Sequence, residues 1–202
     1  MVKDPVKSIR FGLLLGFFAA ILFILMLPRL LVLDDATRSD YIAVLDGHDA
    51  NFYEGLRLLR EGSAKRMFVC LDLPDVPLRD REIQDDLEFV RKTAGPLAES
   101  IDLCKNDSED ALTEFEDVVA YENAQRVLIV TPAAESRATY ILATRRYPNL
   151  SWSVHATADP NFDVHWWKSL DWTETYLDSV TRLAAAVVEP RSSASSVERS
   201  AK

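Results

Sequence analysis

Cysteine is scarce in this 202-residue chain. Its two, Cys70 and Cys104, form no CxxC pair and sit in no histidine cluster. The chain has only three histidines and no HExxH, so no spacing suits a metal ion, and no metal site or cofactor is expected. Glycine is sparse as well, at six residues. There is no Gly-x-Ser-x-Gly elbow, no Walker loop and no intact Gly-x-Gly-x-x-Gly. The chain also lacks a basic excess, with 23 Lys and Arg against 32 Asp and Glu and a net charge of -9. A nucleic-acid binder carries a basic face, so nucleic acid is excluded as a partner. The same acidity argues against the domain lying flat on anionic lipid.

What the chain does have is an apolar run from Phe11 to Leu27, FGLLLGFFAAILFILML, free of charge. After Pro28 and Arg29 it resumes through Leu30-Leu31-Val32-Leu33. A membrane-spanning helix needs roughly 20 mostly apolar residues. Residues 11–33 meet that need if Arg29 snorkels to the interface. Lys3, Lys7 and Arg10 precede the run, and Asp34 and Asp35 follow it. Positive charge on the N-terminal side places that terminus in the cytoplasm and the rest across the membrane. A cleaved signal peptide has a shorter core and a small-x-small cleavage site, whereas this run ends in Leu-Pro-Arg-Leu-Leu-Val-Leu. The expected organisation is a cytoplasmic N-terminus at 1–10, a single-pass anchor at 11–33 in the inner (cytoplasmic) membrane, an extracytoplasmic domain at 34–189, and a Ser-rich disordered tail at 190–202. The lipid bilayer is then an expected partner, met through residues 11–33, and an anionic small molecule is a candidate ligand; the sequence names no protein partner.

Within the domain, short apolar runs alternate with helical patterns. Strands are expected at Tyr41–Leu45, Arg66–Leu71, Ile101–Cys104, Arg126–Val130 and Trp152–Ala156. Helices are expected over 52–61, 80–93, about 109–122, 133–146 and 173–188. Such alternation predicts an α/β, Rossmann-like, mostly parallel sheet of about five strands with helices on both faces. The unbroken apolar run Val127–Val130 predicts a central or next-to-central strand. Both cysteines sit at the ends of predicted strands. Free buried thiols are the expected state, because adjacent parallel strands seldom offer good bridge geometry, although a disulfide is permitted outside the cytoplasm.

Open parallel sheets bind ligands at the carboxyl ends of their strands, and three predicted ends carry polar residues. Asp46-Gly47-His48-Asp49 follows the first strand. His48 beside carboxylates suits a general base or a metal ligand; a solvated turn bent at Gly47 explains it equally. Asn106-Asp107-Ser108 follows the third strand. Ser108 and Asp110 would hold a ligand hydroxyl, or simply start a helix. Thr131 ends the fourth strand, and the helix opening after it offers amides to an anion, with Arg137 one turn in to neutralise the charge.

Several segments together resemble the SanA/ElyC/YdcF-like envelope family, whose members carry a Rossmann-like domain. They are Leu33-Asp34-Asp35, Asp40 to Leu45, and Glu54-Gly55-Leu56 through Gly62. Further along, Ser108-Glu109-Asp110-Ala111 resembles the family's Thr-x-Glu-Asn/Glu-Ala motif. Val130-Thr131 through Ser136-Arg137-Ala138 resembles its Val-Thr-Ser…His…Arg-Ala motif. Trp166-Trp167 and the helix bearing Glu174 resemble the tail of several members. The resemblance covers about residues 30 to 188. It implies a role in envelope biogenesis or barrier integrity, through binding of an anionic small molecule or a partner. The alternative it implies is an enzyme, a hydrolase or transferase, acting on an anionic or nucleotide-like envelope precursor. Two departures mark a degenerate member. The family's Gly-rich turn is reduced to Asp46-Gly47-His48, and its histidine before Arg-Ala is missing, with Glu135 standing nearest. No catalytic residue is assigned.

Overall fold

The computed structural model describes residues 14–18, 21–22, 25–26, 28–44, 49–70, 83–104, 123–159 and 168–189, with single positions 115, 118 and 162. Five strands form one sheet: β1 (Tyr41–Val44), β2 (Arg66–Val69), β3 (Ile101–Leu103), β4 (Arg126–Pro132) and β5 (Ser151–Thr157). The order is β3-β2-β1-β4-β5, and all four pairings are parallel. The expected α/β, Rossmann-like sheet is therefore present. β4 lies next to the central strand β1, in the register Val44↔Val130. Among the described residues the α-helices with defined bounds are α1 (Asp49–Arg60), α2 (Ile83–Ala94), α3 (Ser136–Arg146) and α4 (Leu170–Val188). Phe115 and Val118 are also helical, inside the helix expected over 109–122.

Alternation along each strand divides the core in two. Ile42, Val44, Met67, Val69, Leu128 and Val130 pack under α1 and α2. Tyr41, Ala43, Phe68, Val127, Ile129, Trp152 and Val154 form the other face, with Ala143 of α3 and Phe115. Gly55 lets α1 approach closely: a Cβ there would lie 2.9 Å from both Met67 Sδ and Val44 Cγ2.

Two expectations are corrected. Cys70 and Cys104 are joined as a disulfide, their Cα atoms 5.0 Å apart. Each follows the last residue of its strand, and the register Val69↔Leu103 brings the two side by side on one face. The fourth strand runs on through Thr131 and Pro132, because β5 is long enough to pair with both. The ladder then continues from Ala133 N to Thr157 O at 3.0 Å, which delays α3 until Ser136. Among the described residues no helix is long and apolar enough to cross a membrane, and much of the expected anchor at 11–33 falls outside them. Residues 14–18, 21–22, 25–26 and 28–31 are helical, and the remainder of the run from 11 to 27 lies outside the described residues. The tail at 190–202 lies outside them too.

Candidate functional site

The strand order reverses between β1 and β4: the chain builds outward to β3 on one side and to β5 on the other. The crevice outside the carboxyl ends of those two strands is where open α/β sheets take ligands. Thr131 belongs to this end of β4 and is buried. Asp46, Gly47 and His48 follow β1 in the sequence and lie outside the described residues, as do Ser108 and Asp110, which follow the edge strand β3. The topology thus brings the ends of β1 and β4 to one switch point, and sets the end of β3 two strands from β1.

The two charged candidates after β4 are engaged elsewhere. Glu135 Oε2 lies 3.3 Å from Arg182 Nη1 of α4. Arg137 Nη2 donates to Val32 O at 3.1 Å, while its Nε is buried without a hydrogen-bond partner. Beside it, Ser136 Oγ accepts from Leu33 N at 2.8 Å. The start of α3 therefore grips the segment that leaves the apolar run.

The most organised polar cluster was not singled out from the sequence. His155 of β5 lies between two carboxylates, with Nε2 2.7 Å from Glu54 Oε1 and Nδ1 3.4 Å from Asp34 Oδ1. Two residues on, Thr157 Oγ1 lies 2.5 Å from Asn51 Oδ1. The spacing explains the match. Asn51 and Glu54, three apart on α1, share one helix face. His155 and Thr157, two apart on β5, share one strand face. A helix step of three rises about 4.5 Å and a strand step of two about 6.6 Å, a gap of about 2 Å that the side chains span, so the pairs align in rungs. The legible signal was Asn51-x-x-Glu54 beside a strand with polar residues at alternate positions, Ser153, His155 and Thr157.

Electrostatically this seam is settled. The Arg57 guanidinium, then the His155 ring, hold Glu54 down at about 2 against the opposing effect of burial. Arg57 also pairs with Glu61. Both His155 nitrogens face carboxylates. The cluster is a clasp joining the segment after the apolar run, α1 and β5. Among the described residues no group of His, Cys, Asp and Glu is arranged to hold a metal ion.

Comparison with protein-family models, with curated proteins and with solved structures finds no match for this chain.

Proposed function

We propose that this chain is a membrane-anchored, extracytoplasmic domain of the SanA/ElyC/YdcF type, serving envelope biogenesis or barrier integrity by binding an anionic small ligand or partner. The observation that carries the anchor is the apolar helical stretch at the N-terminus. Its large side chains stand out from the protein, with Phe18 70% exposed and Leu14, Leu15, Phe17 and Leu22 similarly bare. Apolar surface of that kind asks for lipid. The disulfide Cys70–Cys104 supports a compartment outside the cytoplasm, where such bonds persist.

The β1–β4 switch point supports a ligand-binding role, and α3, which opens at Ser136 beyond the end of β4, favours an anion. The missing family histidine before Arg137-Ala138 and the reduced turn Asp46-Gly47-His48 favour binding over the enzymatic alternative. Titration of the full-length chain in detergent with a panel of phosphates and nucleotides, followed by thermal unfolding, tests the role. An anion that raises the unfolding temperature of the parent but not of Gly47→Asp supports it. That substitution adds repelling charge in the segment that follows β1 in the sequence. Absence of any shift across the panel, or an equal shift in both proteins, counts against it.

A further inference from the structure

The segment that leaves the apolar stretch is fastened along the domain. Leu31, the last helical residue of that stretch, is 1% exposed. At the start of α3, Ser136 Oγ accepts from Leu33 N at 2.8 Å, and Arg137 Nη2 donates to Val32 O at 3.1 Å. The next two residues lie along β5. Asp35 N donates to Val154 O at 2.9 Å, and Asp35 Oδ1 accepts from Val154 N. Asp34 Oδ1 accepts from Ala156 N at 3.3 Å. β5 is an edge strand, so the two aspartates cap N–H groups that its outer side would otherwise offer to water or to another chain. Residues 32–35 are thus a tight tether and an edge cover at once.

The charge that meets Asp34 here is that of one imidazole. His155 Nε2 lies 2.7 Å from Glu54 Oε1, and Nδ1 lies 3.4 Å from Asp34 Oδ1. An ionised carboxylate only accepts hydrogen bonds, whereas a neutral imidazole has one N–H and one lone pair, and an imidazolium has two N–H groups. Only the imidazolium suits both carboxylates. In the neutral ring the N–H goes to the nearer Glu54, and a lone pair is left facing Asp34. Glu54 keeps its claim on that N–H, because Arg57, then His155, hold it ionised down to about 2. The other groups around the ring do not change the balance. From α1, the Arg57 guanidinium is turned to Glu54 and Glu61. From β4, the residue paired with His155 is the uncharged Val130. From the tether, Asp35 adds a second negative charge. The side chains of His155 and Asp34 are 18% and 53% exposed, so water reaches the pair.

We propose that residues 32–35 form a pH-sensitive strap over the outer edge of β5, with His155 as its pin. The strap is held while the imidazole carries two protons, and it loosens when one leaves to water. Histidine changes charge between about pH 5 and 8, so a rise through that range uncovers Val154 and Ala156 on the edge of the sheet.

Hydrogen exchange on the full-length chain in detergent, corrected for intrinsic exchange, tests this at about pH 6 and about pH 8, either side of the usual histidine range. The amides of Leu33, Asp35, Val154 and Ala156 are expected to be several-fold better protected at the lower pH, with Val44 in the central strand unchanged. His155→Gln does not titrate, so its strap should be protected equally at both. Asp34→Asn supplies an amide that donates to the lone pair of the neutral ring, so its strap should lose the preference for the lower pH. Strap protection in the parent that is the same at both pH values overturns the pin. So does a change shared equally by Val44, or a variant that keeps the parent's full dependence on pH.

Discussion

Leu128 is 1% exposed in β4, packed beneath the helices on one side of the sheet. An aspartate there would bury a charge with no partner, so Leu128→Asp is expected to cost on the order of 3–5 kcal/mol. Denaturant unfolding checks it, and an unchanged midpoint would deny the burial. Glu54 makes a second residue-scale prediction. Its folded pKa is depressed from 4.5 to about 2. The unfolded state therefore takes up protons first as pH falls, so the stabilisation is full above pH 4.5 and fades between about 4.5 and 2. Glu54→Gln is expected to be less stable than the parent by about 1 kcal/mol at pH 7, after solvent screening, with the gap closing towards pH 2. A gap that holds constant with pH would contradict this. The clasp shows what single residues conceal in a sequence. His155 carries no local partner pattern because Asp34 and Glu54 lie 121 and 101 positions away, and only the fold makes them neighbours.

Among the elements, all five strands were legible, because parallel strands buried on both faces are written as short apolar runs. Helix starts were less so. α3 begins later than Thr131-Pro132 suggests, since the length of β5, a separate segment, decides how far β4 continues. The cysteine pairing was hidden for a related reason: it depends on the register of β2 against β3, which local sequence does not encode. The bridge closes a separation of 34 residues. Chain-entropy reasoning gives it about 3–4 kcal/mol, so the Cys70→Ser, Cys104→Ser double variant should unfold at correspondingly lower denaturant. An unchanged midpoint would speak against the bridge. The packing of α1 makes its own prediction. Alanine at Gly55 gains up to about 1 kcal/mol in helix propensity, but its methyl would meet Met67 and Val44 at 2.9 Å. Overpacking costs about 1–3 kcal/mol, so Gly55→Ala is expected to lower the unfolding temperature, and a rise would show that α1 can back away from the sheet.

At the scale of the whole molecule, the candidate site was legible in its logic and only partly in its members. The strand-end rule selects the β1–β4 switch point, and Thr131 lies there. Arg137 and Glu135, chosen for their charge, are instead spent on Val32 and Arg182. Charge in a sequence does not say whether a side chain faces a crevice or a neighbouring segment. The proposed account joins an N-terminal anchor, a disulfide-bearing α/β domain and a tight tether into one arrangement across a membrane. Its central claim is that the N-terminus and the domain lie on opposite sides. A reporter active only in the cytoplasm, fused after residue 190 and expressed on the full chain, tests that claim most directly. The account predicts a silent fusion, with the same reporter active when fused ahead of residue 1; strong activity from the fusion after residue 190 would contradict it.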